Sequence, residues 1–275
     1  MSRAASILLA TVSPSGVAAE RALPEEVPVA LVYNGSTYAV MMATPADLED
    51  FAIGFALTEG IASPDEAGEV EIVSHEGGIE ARLWLPELRA EALAKRRRTM
   101  AGPVGCGLCG IDSLAEVIRV LPPLPDNDAR FSADQLLGGL DALRNSQPLH
   151  DETRAVHAAG LLNAQAQITA VREDVGRHNA LDKLAGALAR TGPQTGSCSS
   201  IAAAKGAVLL TSRISVEMVQ KTHAIGARII VSVSAPTALA VRNAQAAGIT
   251  IASREAGAIR LYSHPHRVFG GPHVQ

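Results

Sequence analysis

The chain has 275 residues, 47% of them hydrophobic, and a formal net charge of -4. This composition allows a substantial core in one large domain or in two closely joined domains, and the charge excludes binding of nucleic acid by the surface as a whole. Three cysteines argue against a disulfide scaffold and favour a reducing compartment. Since no apolar run has the length of a signal-peptide core or a membrane span, we expect a cytoplasmic protein.

The N-terminal half is predicted to be α+β. Residues 1–24 lack periodicity and predict an irregular arm, whereas residues 27–40 predict a hairpin around Asn34-Gly35, a pair favoured in type I′ turns. The sequence then predicts, in order, a capping pattern at residues 44–47 with Pro45 at the first helical position, an apolar helix that ends at Gly60, two strands over residues 70–85, and a charged helix from about residue 87.

A glycine-rich loop at residues 105–110, Gly-Cys-Gly-Leu-Cys-Gly, carries two of the three cysteines. Glycines leave the thiols of Cys106 and Cys109 approachable, and the basic run at residues 95–98 precedes them. Apolar residues at helical spacing follow, which places Cys109 near a helix N-terminus. The positive end of that helix and the nearby arginines favour the thiolate, the reactive form of cysteine.

Two other interpretations of this loop stay open. A Cys-x-x-Cys pair is often half of a structural zinc site, but such a site usually needs a second pair, and Cys198 is solitary. A thioredoxin-like dithiol normally follows a strand in a βαβ pattern, whereas residues 99–104 read as a loop. We therefore predict no metal site, and redox chemistry remains possible in a different fold.

The C-terminal half is predicted to be α/β. After a proline-rich linker at residues 122–127 and a helix capped at Ser132, strands alternate with helices from about residue 167, which predicts a largely parallel sheet covered on both faces. Ligands collect at the carboxyl ends of such strands, and arginines there suit phosphates. These predicted ends are residues 172–174, 211–213, 232–234 and 253–255.

The turn at residues 171–179 concentrates charge. It is either a solvated turn with Asn179 as a helix cap, or a site that holds a phosphate or orders a catalytic loop. Glu173 and Asp174 are adjacent, so in an extended segment they face opposite ways and do not form an acid/base pair. A second turn contains Ser215, a candidate N-cap. His264, His266 and His273 are read as an exposed polar tail rather than metal ligands.

Several long segments occur in a fixed order along the chain. They are Val32-Tyr33-Asn34-Gly35, residues 41–50, Cys-Gly-Leu-Cys-Gly at 106–110, Val-Arg-Glu-Asp-Val-Gly-Arg-His-Asn-Ala-Leu-Asp-Lys-Leu at 171–184, Val-Ser-Val-Ser-Ala-Pro-Thr-Ala-Leu-Ala-Val at 231–241, and Tyr262-Ser263-His264-Pro265. Taken together, these segments resemble the FdhD family, and the resemblance runs from about residue 25 to residue 268.

The resemblance implies a sulfurtransferase that activates formate dehydrogenase. Such a protein takes sulfur from a cysteine desulfurase as a persulfide on Cys106, with Cys109 as companion. It passes the sulfur to the molybdenum (or tungsten) bis-guanine-dinucleotide cofactor, whose nucleotide part is mimicked by guanosine diphosphate. A homodimer is implied, with a cytidine-deaminase-like C-terminal domain. The zinc signature of deaminases is missing, so deamination is not expected.

The resemblance and the strand-end arginines together define the domains and the candidate site. We expect an arm at 1–24, an α+β domain at 25–125 that ends with the cysteine loop and the following helix, and a cytidine-deaminase-like α/β domain with a mixed or mostly parallel sheet at 126–275. Besides the catalytic Cys106 and Cys109, the predicted cofactor-binding residues are His157, Arg177, His178, Arg213, Ser234, Ser253, Arg254, Glu255, Ala256, Gly257 and Ala258.

Two positions depart from the family's usual pattern. Residues 153–157 read Thr-Arg-Ala-Val-His, which keeps His157 but replaces a glycine before it with Arg154, and Gly257-Ala258 stands where Gly-Arg is usual. Contacts to the cofactor are expected to differ at both places. A rival function is a cofactor-binding chaperone without sulfur chemistry, and a third is a zinc-stabilised binding module.

Overall fold

The structure is a computed structural model, and it describes residues 4–66, 68–86, 89, 120–191 and 201–270. Cys106, Cys109, Cys198 and His273 lie outside the described residues, as does most of the charged helix predicted from residue 87.

Residues 6–24 form a β-hairpin, so the prediction of an irregular arm is wrong. β1 (Ser6–Val12) pairs antiparallel with β2 (Ala18–Pro24), and Gly16 in the connecting turn has φ 82°. Most side chains of both strands are exposed, including Leu8 and Val12. Because neither face of this hairpin is buried, its sequence lacks the alternation of apolar and polar residues by which strands are recognised.

A four-stranded sheet and one helix form the N-terminal layer. The strands are β3 (Val27–Tyr33), β4 (Ser36–Ala43), β5 (Val70–His75) and β6 (Gly78–Leu83), in the order β4-β3-β6-β5. Asn34 and Gly35 both have positive φ, which confirms the type I′ turn. Helix α1 (Leu48–Thr58) packs Phe51 and Phe55 against the sheet, and Gly60 ends it with φ 69°.

Helix α1 begins three residues later than the proline predicted. Asp47 is its N-cap residue, but φ 52° holds its backbone in the left-handed region and its side chain makes no capping hydrogen bond. Pro45 lies outside the helix because Thr44 is bound elsewhere. The Thr44 N–H donates to Asp174 Oδ2 (3.0 Å), and Thr44 Oγ1 accepts from the Val175 N–H (3.2 Å).

The C-terminal layer is a six-stranded mixed sheet. Its strands are β8 (His157–Leu162), β9 (Ile168–Asp174), β10 (Ala207–Leu210), β11 (Ile229–Ser232), β12 (Thr250–Glu255) and β13 (Ala258–Leu261), in the order β13-β12-β11-β10-β8-β9. The α/β class is confirmed. Of the mixed and the mostly parallel sheet that were expected, the structure has the mixed one, because β10–β11 and β11–β12 are parallel while the other three pairings are antiparallel.

Strand β8 accounts for this difference, because the sequence analysis did not predict it. Its residues, His-Ala-Ala-Gly-Leu-Leu, are buried except for His157, so they neither alternate nor contain β-branched side chains. Gly160 leaves room at its centre for Leu143, whose Cδ1 would lie 2.9 Å from a Cβ at this position. A two-stranded pairing of β7 (Phe131–Ser132) with β14 (Val268–Phe269) lies beside this layer.

Helices cover both faces of the six-stranded sheet, as predicted. Ser132 caps α2 (Ala133–Arg144) with a capping box, and α2 packs on one face. The other face carries α4 (Arg177–Thr191), α6 (Val216–Ala224) and α7 (Ala238–Ala247), and the shorter helices are α3 (Pro148–Thr153) and α5 (Ile201–Ala204). In the part of the chain that the structure describes, no helix is both long and apolar enough to cross a membrane.

The two layers meet where α1 crosses α4. A Cβ on Gly54 would lie 1.7 Å from the Asp182 carbonyl oxygen, and a Cβ on Gly186 would lie 1.9 Å from the Asp50 carbonyl oxygen. The helices therefore touch through their backbones. The three-part domain division and the cytidine-deaminase-like assignment stay predictions.

Candidate functional site

The predicted strand ends come together at one edge of the six-stranded sheet. Because β9 is antiparallel to β8 and β8 is antiparallel to β10, strands β9, β10, β11 and β12 all run in the same direction. Their carboxyl ends share an edge with the first residues of β8 and β13, and we call it the carboxyl edge. In chain order, the predicted site residues at or just beyond this edge are His157, Arg177, His178, Arg213, Ser234, Ser253, Arg254, Glu255, Ala256, Gly257 and Ala258.

Serine and tyrosine hydroxyl groups form hydrogen bonds at the centre of the carboxyl edge. Ser232 Oγ donates to the Ser212 carbonyl and accepts from the Ser234 N–H (2.9 Å), which joins the ends of β10 and β11. On the neighbouring strand, Ser253 Oγ lies 3.2 Å from the Tyr262 hydroxyl. Tyr262 was not predicted as a site residue, although it belongs to a segment that carries the family resemblance.

Most charged residues of the 171–179 turn hold the fold together. Glu173 accepts the N–H groups of Leu149 and His150 (2.9 and 2.8 Å) at the start of α3. Asp174 is fully buried 2.6 Å from Lys183 Nζ. The two carboxylates thus serve different elements, and neither is arranged for acid/base chemistry.

Of the remaining side chains of this turn, two form structural contacts and two are left as candidate ligand-binding groups. Arg172 pairs with Asp50 (2.7 Å), so it is a contact between the layers rather than a ligand group. Asn179 is not a helix cap, because α4 already begins at Arg177 and the Asn179 amide donates to Asp174 Oδ1 (2.9 Å). Arg177 and His178 are the residues of the turn that stay available.

Arg177 and His178 each bury a nitrogen without a hydrogen-bond partner. Within the described ranges, neither Arg177 Nε nor His178 Nε2 finds an acceptor or donor. Burial, together with the positive charges of Arg177 and Lys221, lowers the pKa of His178 to about 4, and Glu217 opposes that shift. A neutral imidazole and an unsatisfied guanidinium at the edge of a sheet are groups that a polar ligand can complete.

His157 belongs to the same part of the edge. It pairs with Asp174 in the β8–β9 register and is half-buried. Burial and then the charge of Arg177 lower the pKa of His157. Arg154, the residue that departs from the usual glycine, takes a left-handed conformation with φ 58° and pairs with Asp151 (3.3 Å). The departure is therefore accommodated by backbone geometry that glycine would adopt more readily.

A tight turn connects β12 to β13 at the other end of the carboxyl edge. Ala256 and Gly257 both have positive φ, and the flanking Glu255 pairs with Arg260. Arg254 reaches Asp141 on α2 (2.8 Å), and its Nε atom is buried with no partner among the described residues.

Glu217 was missed by the sequence analysis although it lies in the second strand-to-helix turn. It is the acid in the first turn of α6, and its charge acts on both His178 and Arg177. Arg213, in the same turn, is exposed, and the described residues give it no ion pair. The signal in the sequence was the pairing of Arg213 with an acid, Glu217, in one strand-to-helix turn, which could have marked Glu217 as a candidate site residue.

Other features of the described chain do not belong to this site. No group of three or more histidine, cysteine, aspartate or glutamate side chains in the described ranges could hold a metal ion. A cleft of about 590 Å³ lies between α1, the start of β5 and the end of α4, lined in part by Glu49, Glu69 and Arg190. None of the predicted site residues lines it.

Comparison with known proteins assigns the family. The profile of the FdhD/NarQ family matches residues 24–269. The chain belongs to the FdhD/NarQ family. The match begins inside β2 and ends at the last residue of β14, so it includes both layers and the carboxyl edge.

Curated relatives agree with this assignment. The chain is 52% identical over 233 residues to the sulfur carrier protein FdhD of Agrobacterium fabrum, covering 84% of this chain and 83% of the relative. It is also 52% identical over 246 residues to the sulfur carrier protein FdhD of Cupriavidus necator, covering 89% of this chain and 82% of that protein. A third relative of the same name, from Bordetella petrii, is 49% identical over 247 residues.

A crystal structure supports the fold. A chain from Desulfotalea psychrophila, assigned as a formate dehydrogenase accessory protein, superposes with a TM-score of 0.72. The match covers 97% of this chain and 100% of that one, at 24% sequence identity. The two chains therefore share their fold over both layers.

Proposed function

We propose that this protein is a sulfur carrier that activates formate dehydrogenase by supplying sulfur to its molybdenum cofactor. The observation that carries the proposal is the collection of Arg177, His178 and Arg213 at one sheet edge, in a chain whose relatives are named sulfur carrier proteins. A cytoplasmic homodimer is part of this proposal, as is the cytidine-deaminase-like character of the six-stranded layer.

The sulfur chemistry is proposed for Cys106. Its thiolate attacks the outer sulfur of a persulfide on a cysteine desulfurase, which forms Cys106–S–SH and returns the donor's thiolate. Attack by the Cys109 thiolate on Cys106 Sγ would then release hydrosulfide to the acceptor and leave a disulfide, which a dithiol reductant restores. In this scheme Cys109 resolves the persulfide instead of carrying it.

The acceptor is proposed to be the molybdenum bis-guanine-dinucleotide cofactor, bound as substrate at the carboxyl edge. A dinucleotide with several phosphates needs cationic and polar donors that are not already satisfied. The described groups that meet this need are the buried nitrogens of Arg177, His178 and Arg254 and the exposed guanidinium of Arg213. The remaining predicted contacts are His157, Ser234, Ser253, Glu255, Ala256, Gly257 and Ala258.

A cofactor-binding chaperone without sulfur chemistry is the second candidate. The exposed, unpaired Arg213 at the same edge supports the chaperone function as well as it supports the sulfur carrier, because binding of a ligand at Arg213 requires no thiol. The two functions differ in what the cysteines do. Under the chaperone function, replacement of both cysteines leaves cofactor binding and activation of formate dehydrogenase intact.

Intact-mass spectrometry tests the sulfur-carrier proposal. The protein is incubated with a cysteine desulfurase, pyridoxal phosphate and cysteine, beside the variants Cys106→Ala and Cys109→Ala. We expect the wild type and Cys109→Ala to gain the mass of one sulfur and Cys106→Ala to gain none. If the wild type gains no sulfur but still binds guanosine diphosphate, the chaperone function is the better account.

A further inference from the structure

Two arginines are buried at the opposite edge of the six-stranded sheet, where β11 and β12 begin. Arg228 and Arg267 are each 4% exposed. Arg228 immediately precedes β11, and Arg267 Nη1 donates to Oγ1 of Thr250, the first residue of β12 (3.1 Å). Three residue steps separate Ile229 from Ser232, so this pair lies roughly 10 Å along β11 from the carboxyl edge. It is not part of the site described above.

One exposed carboxylate serves both guanidinium groups. Asp126 Oδ1 contacts Arg228 Nη1 and lies 3.7 Å from Arg267 Nη2. The Asp126 side chain is 89% exposed, in contrast to the buried arginines. Burying charge is costly unless it is paired, and an exposed carboxylate is a weak counterion because water competes for it.

Positive charge at this place exceeds the negative charge that balances it. Burial, followed by the charge of Arg228, lowers the pKa of Arg267; Arg130 acts in the same direction and Asp126 opposes it. Arg228 Nε is buried and has no hydrogen-bond partner in the described part of the chain. The arrangement therefore favours an anion with more charge and more acceptor oxygens than the single Asp126 carboxylate supplies.

The position of Asp126 shows how an anion would reach the arginines. The carboxylate touches a guanidinium while remaining almost entirely in water, so the contact point is open to solvent once the side chain rotates away. Planar guanidinium groups match the oxygens of phosphate-class anions, which accept several charge-assisted hydrogen bonds at once. Asp126 faces both arginines through one oxygen, Oδ1, whereas a phosphate-class anion offers several acceptor oxygens.

We propose that Arg228 and Arg267, with Arg130 at the rim, form a second binding site, for a tetrahedral phosphate-class oxyanion that competes with the Asp126 carboxylate. The oxyanion is either free phosphate or the phosphate group of a small ester. Asp126 belongs to residues 122–127, which are also held by the His223 contact to the Pro122 carbonyl (2.7 Å), by the bond from Leu124 N–H to Ala247 (3.2 Å), by the bond from Arg228 Nη2 to the Leu124 carbonyl (2.8 Å) and by the bond from the Asn127 amide to the Ala204 carbonyl (2.5 Å). The segment therefore stays attached when Asp126 is displaced.

Isothermal titration with inorganic phosphate tests this site. Asp126→Ala removes the competing carboxylate, and Asp128→Ala changes the net charge equally at an exposed neighbouring acid. We expect Asp126→Ala to bind phosphate on the order of tenfold more tightly than the wild type, while Asp128→Ala matches the wild type. Asp126→Asn, which keeps the side-chain shape, is expected to behave like Asp126→Ala. All titrations are repeated in chloride at equal ionic strength.

Removal of the arginines completes the test. Adding Arg267→Gln to Asp126→Ala should abolish binding, and adding the exposed Arg130→Ala should weaken it severalfold without affecting folding. Glycerol 3-phosphate, used as a second probe, distinguishes an ester ligand, which binds more tightly than phosphate, from the free anion, which does not. If Asp126→Ala and Asp126→Asn bind phosphate no more tightly than Asp128→Ala, or if Arg130→Ala changes nothing, the proposal is overturned.

Discussion

At the residue scale, Lys183 is the clearest example of a buried positive charge that is paired with a single carboxylate. Its side chain is fully buried, 2.6 Å from Asp174 and 3.0 Å from the Thr44 carbonyl. Asp174 also accepts hydrogen bonds from the N–H groups of Thr44 and Gly176 (3.0 and 2.8 Å). The network thus ties the end of β4 to the beginning of α4.

Lys183→Met should therefore destabilise the protein strongly. It leaves Asp174 buried without a positive charge, a change that typically costs about 3–5 kcal/mol of unfolding free energy. Denaturant unfolding at neutral pH measures the loss, with Lys205→Met at an exposed lysine as the matched control. A second variant that also carries Asp174→Asn should recover part of the loss. If Lys183→Met proved as stable as Lys205→Met, this account of the Lys183–Asp174 pair would be contradicted.

His178 predicts how stability depends on pH. Its pKa in the folded protein is about 4, against 6.5 for an unperturbed histidine. Between these values the unfolded chain binds a proton that the folded protein does not, so stability falls as pH decreases from about 6.5 to 4. The contribution amounts to roughly 3 kcal/mol over this window.

His178→Gln should flatten that pH dependence. We expect the unfolding free energy of this variant to change less between pH 6.5 and 4 than that of the wild type. Chemical denaturation at a series of pH values provides the comparison. Parallel curves for wild type and His178→Gln would show that His178 is not held neutral by burial.

Residue identity alone could predict the polar turn at residues 171–179. It could not predict which of its side chains form structural contacts and which remain for a ligand. The sequence placed Arg177 and His178 at a strand-to-helix turn, as the structure does. It could not show that Asp174 accepts a hydrogen bond from Thr44, because those residues are 130 positions apart in the chain and meet only in the folded protein. Charge density marks a candidate site, whereas long-range pairing decides which charges remain for ligands.

At the scale of elements, the crossing of α1 and α4 depends on two glycines. Gly54→Ala should cost about 3 kcal/mol or more, because the new Cβ would lie 1.7 Å from the Asp182 carbonyl oxygen and backbone cannot rotate away as a side chain does. Thermal and denaturant unfolding of this variant, and of Gly186→Ala, measure the effect.

Gly138→Ala in α2 is the control, and its effect should have the opposite sign. A Cβ at this exposed helical position meets nothing within 4 Å, so the substitution should stabilise by about 0.5–1 kcal/mol through helix propensity. If Gly54→Ala also stabilised the protein, the helices could not be in backbone contact.

Elements with one buried face were predictable, and elements without one were not. The β3–β4 hairpin, α2 and the α6 and α7 helices lie close to where periodicity and turn chemistry indicated. The β1–β2 hairpin is too exposed to show a pattern, and β8 is too buried to show one. Missing β8 removed one antiparallel partner from the predicted sheet, which is why the sheet was expected to be more parallel than it is.

At the scale of the whole molecule, the direction of the strands creates the site. Strand β8, which the sequence did not predict, lies between β9 and β10 in the sheet and runs antiparallel to both, so β9 and β10 still end at the same edge. The prediction of a common edge therefore holds even though the predicted pairing does not. Cys106 and Cys109 lie outside the described residues, and their role in sulfur transfer stays a prediction.

Arg213→Ala tests whether ligand binding depends on the carboxyl edge. Arg213 is exposed and has no ion pair in the described structure, so its removal should leave stability unchanged. We expect roughly fivefold weaker binding of guanosine diphosphate, equivalent to about 1 kcal/mol for one solvent-exposed charge contact. Arg242→Ala on α7 is the matched control at another exposed arginine. Unchanged affinity in Arg213→Ala would remove this residue from the site.

The buried ion pairs between the layers also determine when the protein can become stable during synthesis. Across the two layers, Asp50 pairs with Arg172, and Glu59 pairs with Lys221 (3.0 Å). Thr44 forms hydrogen bonds with Asp174 and Lys183. The N-terminal sheet leaves the ribosome first, yet Asp50 gains Arg172 only when 122 further residues have been translated, and Glu59 gains Lys221 only 162 residues after its own synthesis. The nascent chain therefore exposes the face of α1 that contains Gly54 until α4 has been made.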